Sequence, residues 1–164
     1  MHHHLLKLLP ILKQVTIFAG LGDDNIGRIA QECDIVKVSS GELLIKEGEQ
    51  GKEIMIILKG LVKVVLDIEN DPLEIIKLGP GNCLGEVSVV GILNHSASVV
   101  TLEDCELMIL SRRLMMDIYE NDKGLFSILI LNIARELARR LHHTDEILLQ
   151  YGKKGCAPRS KLAT

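Results

Sequence analysis

The sequence predicts a mainly β domain, a sandwich or a barrel, with helices at both ends. Short apolar runs recur at nearly regular spacing between about residues 42 and 110, and turn residues such as Lys59-Gly60 and Gly79-Pro80-Gly81 separate them. Many short strands punctuated by glycine and proline are typical of such folds. The runs cover residues 43–45, 54–58, 61–68, 73–78, 97–102 and 105–110.

The composition indicates one domain and excludes several kinds of binding protein. The 164 residues are 47% apolar but only 2% aromatic, so a single full core must consist of leucine, isoleucine and valine. With so few rings, the chain offers no aromatic cage and no row of rings for stacking single-stranded nucleic acid. A net charge of −3 gives no basic field that would attract DNA, and we expect no direct nucleic-acid binding.

The N-terminal flank, residues 1–14, predicts an amphipathic helix. His2, His3 and His4 are either a partial purification tag or the native start, and they carry no functional argument. The apolar stretch that follows is interrupted by Lys7 and Pro10 and is too short to span a membrane. Further on, Asp23-Asp24-Asn25 predicts the cap of a short helix whose inner face carries Ile26, Ile29 and Ala30.

The C-terminal flank predicts two more helices. Ser111 is a suitable N-cap for residues 112–120, and the longest helix follows over about residues 123–150. We expect this long helix to form a homodimer; the alternative is a helix folded fully onto its own barrel. Residues 151–164 predict a basic flexible tail. The long helix has a near-heptad apolar stripe of Phe126, Ile130, Ile133, Leu137, Leu141 and Leu148, widened by Leu129, Leu131, Ala134 and Ala138.

The four cysteines indicate a reducing compartment. Cys33, Cys83, Cys105 and Cys156 form no C-x-x-C pair and have no metal-ligand spacing. Without a secretory signal, the simplest account is a cytoplasmic protein with free thiols. We expect the first three to be small buried residues.

One segment carries the residues suited to ligand chemistry. A predicted strand ends in Gly79-Pro80-Gly81, Gly85 then precedes Glu86, and a short apolar segment of helical length follows to about residue 93. Gly85 allows backbone amides to approach a ligand closely, and the start of a helix attracts an anion such as phosphate. Glu86 only accepts hydrogen bonds when ionised, which suits a ribose hydroxyl.

These residues resemble the cyclic nucleotide-binding domain family, which bacterial catabolite-activator-type regulators, kinase regulatory subunits and gated channels share. The resemblance covers about residues 15–145, within a predicted domain of residues 15–150. Its glycine framework is matched by Ser40-Gly41-Glu42, Glu47-Gly48-Glu49, Leu58-Lys59-Gly60 and Gly79-Pro80-Gly81. Its phosphate-binding cassette, Phe-Gly-Glu-(apolar)-Ala-Leu, is matched by Leu84-Gly85-Glu86-Val87-Ser88-Val89.

The resemblance implies a double-stranded β-helix, or jelly roll, of eight strands. In such a domain, cAMP or cGMP lies between the cassette and the long C-terminal helix, which relays binding. Glu86 would accept from the ribose 2′-hydroxyl, and the amides of Gly85, Ser96 and Ala97 would surround the phosphate. Carried over by position, the ligand-binding residues are Leu84, Gly85, Glu86, Val87, Ser88, His95, Ser96 and Ala97.

The sequence departs from the family at His95, which stands where the cassette usually has arginine. Arginine is always charged and can engage two phosphate oxygens, whereas histidine offers one reachable donor and titrates near neutrality. The domain is therefore expected to bind cyclic nucleotide weakly or in a pH-dependent way, to bind another anion, or to act as an interaction and dimerisation module that binds none. The alternative is that His95 is an exposed loop histidine with no role in ligand binding.

Enzymatic and DNA-binding functions are disfavoured. The chain has no P-loop, no Gly-x-Ser-x-Gly motif and no His-x-His pair on strands, so we expect neither catalysis nor a metal or other cofactor. A helix-turn-helix module would need roughly 60–70 residues after Tyr151, and 13 residues follow it in this sequence.

Overall fold

The structure, a computed structural model, describes the backbone of residues 2–153 and the side chains of residues 7–149. The long C-terminal helix continues to Lys153, so it extends three residues into the segment predicted as a tail. The rest of that segment, with Cys156, lies outside the described residues.

The described chain contains five α-helices, one short 3-10 helix and eight strands. The helices are α1 (His2–Leu12), α2 (Asp23–Gln31), α3 (Glu86–Gly91), α4 (Arg112–Asn121) and α5 (Lys123–Lys153), and the 3-10 helix is Thr16–Phe18. The strands are β1 (Asp34–Val38), β2 (Leu43–Ile45), β3 (Glu53–Lys59), β4 (Val62–Leu66), β5 (Leu73–Leu78), β6 (Cys83–Leu84), β7 (Ser98–Thr101) and β8 (Cys105–Ser111).

The strands form two four-stranded antiparallel sheets, with orders β1-β8-β3-β6 and β2-β7-β4-β5. This confirms the mainly β fold with flanking helices. All six predicted apolar runs contain a strand, whereas β1 and β6 have no counterpart among them. β1 escapes the apolar pattern because no residue of it is fully buried, and β6 because it has only two residues.

An aliphatic core lies on both faces of the central strand β3. Successive side chains of a strand point to opposite faces, and here Ile54 and Ile56 pack against the helices while Ile57 packs between the sheets. Phe18 is the one aromatic side chain that is fully buried among the described residues. The core is thus built from branched aliphatic side chains, as the composition predicts.

The helix caps agree with the prediction at one end of the domain and differ at the other. The Ser111 hydroxyl accepts a hydrogen bond from the Leu114 amide at 3.1 Å, which confirms it as the N-cap of α4. In α2 the N-cap is Gly22, not the predicted Asp23-Asp24-Asn25 group. Asp23 and Asp24 occupy the first turn instead, where their negative charges interact favourably with the helix dipole and stabilise the helix.

The three described cysteines are free, but they are not equally buried. Cys83 and Cys105 are buried as predicted, whereas Cys33 is half-buried, because it lies between the end of α2 and the half-exposed strand β1. Burial raises the pKa of the Cys83 and Cys33 thiols to about 12, which keeps both protonated at neutral pH.

Helix α5 is attached to the domain by its first half. Leu125, Leu129 and Ile133 are buried, and the buried Asn132 side chain donates to the Ile17 and Ala19 carbonyls at 3.1 and 2.7 Å. Buried amides require such partners, so the long helix and the 3-10 helix are held in a fixed relation. No described helix has the length and apolar character needed to span a bilayer.

Candidate functional site

The cassette begins at a sharp turn between β6 and α3. Gly85 has a φ of 82°, and a Cβ at this position would come within 2.6 Å of the Glu53 carbonyl oxygen, so only glycine fits. The helix that follows ends at Gly91, two residues earlier than predicted. It stops there because Ile92 adopts a left-handed conformation (φ 54°) and its amide donates to the Ser88 carbonyl.

The Glu86 carboxylate is completely buried and is held by the C-terminal helix. Arg140 on α5 donates from Nη1 to Glu86 Oε1. Its Nη2 donates to the Cys83 carbonyl at 2.8 Å, and its Nε donates to Glu136 Oε1 at 3.2 Å. One guanidinium thus joins α5 to Glu86 and to the Cys83 carbonyl, and its bond to Glu136 lies within α5 itself.

The second oxygen of the same carboxylate has no comparable partner. Glu86 Oε2 is buried and accepts no hydrogen bond of normal geometry from the described residues. Burial raises the pKa of Glu86 above its ordinary value of 4.5, and this effect outweighs the opposing influence of Arg140. A buried carboxylate oxygen without a donor is costly and marks a place where a ligand donor would be favourable.

His95 lies in a packed position rather than on an exposed loop. The His95 Nδ1 atom is 3.0 Å from the Ser88 hydroxyl, and the His95 amide donates to the Glu49 carbonyl at 2.8 Å. Partial burial lowers the pKa of His95 below its ordinary value of 6.5, and the Glu49 charge opposes this only partly. The imidazole is therefore mostly neutral at pH 7.

The other sequence-predicted residues fall into three groups. Leu84 is buried in the core between the sheets. Val87 is exposed on the outer side of α3. Ser96 is exposed and Ala97 half-buried, immediately before β7. The structure therefore brings the side chains of Ser88 and His95 together and places Glu86 beside the long helix.

Sequence reasoning missed Arg140, although a signal for it exists. Glu136 and Arg140 are four residues apart on α5, the spacing of a side-chain ion pair. The pattern predicts that pair, but it contains no information about the distant Glu86.

We also searched the described residues for a metal site and for a cavity outside the cassette. No group of three or more histidine, cysteine or acidic side chains among them could hold a metal ion. A cavity of about 320 Å³ lies between α2 and α4, and no cassette residue lines it.

Comparison with known proteins identifies the family. The family model described as "Cyclic nucleotide-binding domain" matches residues 35–122, more than half of the sequence. The chain belongs to the cyclic nucleotide-binding domain family. The match includes β1 through α4 and so contains the whole cassette.

Relatives and solved structures agree with this assignment. The cGMP-dependent protein kinase egl-4 of Caenorhabditis elegans is 32% identical over 96 residues, which are 57% of this chain and 12% of the kinase. A cyclic nucleotide-binding domain from Methylobacillus flagellatus has a TM-score of 0.81 and 21% identity over 98% of this chain and 88% of its own. The catabolite activator protein of Thermus thermophilus has a TM-score of 0.74 and 25% identity over 84% of this chain and 63% of its own. The matched segment thus spans only about an eighth of the length of the kinase.

Replacement of Glu86 by glutamine should change how stability depends on pH. Because the pKa of Glu86 is raised on folding, its contribution to stability is full below pH 4.5 and is lost as the pH rises through the folded-state pKa. Glutamine does not ionise, so Glu86→Gln should not lose this stability at high pH. The free energy of unfolding involved is about 1.4 kcal/mol for each unit by which folding raises the pKa. Urea unfolding between pH 4 and pH 8 should show the variant gaining on wild type as the pH rises.

The matched control is Glu120→Gln, at an exposed position of α4. Its stability should follow the wild-type pH dependence. A constant difference between Glu86→Gln and wild type across this pH range would contradict the prediction.

Proposed function

We propose that this domain is a regulatory module that binds cAMP or cGMP between the cassette and α5 and relays binding through α5. The observation that carries the proposal is the Glu86 carboxylate: Oε1 accepts from Arg140, and the buried Oε2 accepts no hydrogen bond of normal geometry within the described part of the chain. A ribose hydroxyl is a neutral donor of the kind that Oε2 lacks. The family membership and the cassette turn at Gly85 support the same assignment.

The electrostatics at this end of the pocket favour a neutral donor over a second cation. Glu86 already interacts with Arg140, so the carboxylate charge is partly compensated. A ribose hydroxyl can complete the hydrogen bonding of the buried carboxylate without adding a charge that must be desolvated. The proposed ligand would therefore contact Glu86 Oε2 without bringing a second cation to the site.

The residues proposed to contact the phosphate predict a modest affinity for cyclic nucleotide. His95 takes the position of the family's arginine and is mostly neutral at pH 7, so it offers a single N–H donor. Loss of a charge-assisted contact costs about 1.5–3 kcal/mol, equivalent to roughly a ten- to hundredfold weaker affinity. The amides of Ser96 and Ala97 are proposed to supply further contacts to the phosphate.

Arg140 supplies a physical route from ligand to helix. It is the residue through which α5 contacts both Glu86 and the Cys83 carbonyl. A ligand that changes the charge and hydrogen bonding of Glu86 alters the strength of that attachment. The population of docked α5 should change as a result.

We further propose that α5 forms the interface of a homodimer. The stripe that does not pack on the domain is Leu131, Ala134, Ala138, Leu141 and Leu148, all exposed. Positions 131 and 138, and positions 134, 141 and 148, repeat every seven residues, the pattern by which one helix packs against a copy of itself. We place this non-catalytic regulator in the cytoplasm, consistent with its free thiols, and assign it no direct nucleic-acid contact.

Calorimetry with cAMP and cGMP tests nucleotide binding. His95→Arg should bind roughly ten- to a hundredfold more tightly than wild type, because a charged bidentate donor is restored. Glu86→Ala should bind more weakly, because the ribose acceptor is lost. Glu120→Ala, on exposed α4, is the control and should match wild type. If no variant binds either nucleotide, His95→Arg included, the domain is instead an interaction module with a structural cassette.

Hydrogen exchange tests the relay. A saturating cyclic nucleotide should change amide protection over residues 136–149 of wild type, because Arg140 lies in this stretch. Arg140→Met should reduce that response. The amide protection of the paired strands β1 and β8 should stay as in wild type. Identical protection of α5 with and without bound nucleotide would refute the relay.

Analytical ultracentrifugation tests the dimer. Wild type should sediment as a dimer at micromolar concentration, and Leu141→Lys should be a folded monomer because a charge is placed in the apolar seam. Leu73→Lys, at a similarly exposed leucine of β5, is the matched control and should remain dimeric. A monomeric wild type at this concentration would rule out the interface.

A further inference from the structure

Two of the positions at which the cassette differs from the family motif contact each other. Ser88 stands where the motif has alanine, and His95 stands where it has arginine. The Ser88 hydroxyl and His95 Nδ1 are 3.0 Å apart. We propose that Ser88 is a positioning residue, which holds the His95 imidazole so that its Nε2–H group is the single ring donor left for the ligand. This inference rests on the proposed nucleotide-binding function of the same site.

The ring is enclosed by residues without side chains. A Cβ at Gly51 would lie 2.3 Å from Ser88 Cβ and 3.0 Å from His95 Cε1, so no side chain fits there. On another side, a Cβ at Gly85 would lie 3.7 Å from His95 Cε1. The imidazole therefore occupies a niche formed by two glycines and the buried serine.

The walls of this niche are themselves fixed. The Gly48 amide donates to the His95 carbonyl at 2.9 Å, and the His95 amide donates to the Glu49 carbonyl, which ties the histidine backbone to the turn before β3. Arg112 Nη2 donates to the Gly51 and Val89 carbonyls at 3.1 and 3.2 Å. This guanidinium joins the Gly51 wall to the helix that carries Ser88, so the niche does not depend on a ligand.

The contact between Ser88 and His95 is compatible with either tautomer, and the burial of Ser88 favours the one in which Nδ1 accepts. Ser88 is only 3% exposed, and a buried hydroxyl needs an acceptor for its proton. Its one side-chain partner among the described residues is His95 Nδ1. Nδ1 is then the unprotonated acceptor, and the ring proton resides on Nε2.

This arrangement sets what the anionic part of a ligand meets. A ring held as the Nε2–H tautomer presents one neutral donor in one orientation, where the family's arginine would present a charged fork. The charged group that faces the ring is Glu49 in the preceding turn, while α3, β3 and their connections contribute the uncharged Gly51, Gly85 and Ser88. Ser88 thereby determines how the pocket engages the phosphate.

Imidazole NMR tests the positioning without any ligand. In wild type, the ¹⁵N signals of His95 should show one dominant tautomer with a hydrogen-bonded, unprotonated Nδ1. Ser88→Ala should shift the Nδ1 signal and the titration midpoint of His95. Ser98→Ala also removes a buried serine hydroxyl, but one that accepts from the Glu47 amide, and it should leave both unchanged. Equal His95 signals in wild type and Ser88→Ala would overturn the proposal.

A double-mutant cycle measures the effect on ligand binding. Ser88→Ala should weaken cyclic-nucleotide binding about fivefold in the wild-type background, the usual effect of one neutral hydrogen bond. It should have no effect in a His95→Ala background, because it acts through the ring. The same loss in both backgrounds, or a gain in the wild-type background, would mean that Ser88 does not act through His95.

The NMR comparison and the binding measurements distinguish failure of the proposed function from failure of the proposed role of Ser88. If neither wild type nor His95→Arg binds cyclic nucleotide, the proposed function fails, while the NMR comparison still decides whether Ser88 positions His95. If nucleotide binds and the cycle shows no coupling, the role of Ser88 fails and the proposed function stands.

Discussion

The buried ion pair between Glu86 and Arg140 is the interaction on which the rest of the site depends. A fully buried carboxylate is unfavourable unless a cation and hydrogen-bond donors compensate it. Here the compensation comes from α5, more than 50 residues away in sequence. The cassette and the helix are consequently not independent elements, and neither can change its position without a change in the energy of this charge.

Only half of that compensation is present among the described residues, and this imbalance is what the proposed ligand hydroxyl would correct. A structural pair would be expected to satisfy both carboxylate oxygens, whereas Glu86 Oε2 accepts no hydrogen bond of normal geometry from the described residues. Proteins tolerate such local costs at functional sites because the remainder of the fold is stable enough to hold them. The aliphatic core on both faces of β3 and the attachment of α5 through Asn132 provide that stability.

The sequence predicted the parts of the fold that depend on local pattern. The apolar runs between turns located six strands, and Ser111 marked the start of α4, because alternation and capping are local properties. β1 was missed because it is half-exposed, and α3 was predicted two residues too long because the left-handed turn at Ile92 is unusual for a branched residue. At the site, the motif located Glu86, Ser88 and His95.

The contacts that Glu86, Ser88 and His95 make could not be predicted from local sequence pattern. Arg140 reaches Glu86 across the fold, and the hydrogen bond between Ser88 and His95 crosses the turn that links α3 to β7. Such pairings depend on tertiary geometry, which a single sequence does not encode in its spacing. The motif marks His95 as the departure from the family, and the structure joins this residue to Ser88.

The close approach of Gly51 to both residues has a consequence for how this pocket could arise or be altered by successive substitutions. A side chain at position 51 would overlap Ser88 Cβ and crowd the imidazole. Because this overlap is with the Cβ atom of residue 88, it would arise for alanine there as well as for serine. Position 88 can therefore exchange alanine and serine without a change at position 51, whereas position 51 itself is closed to any side chain.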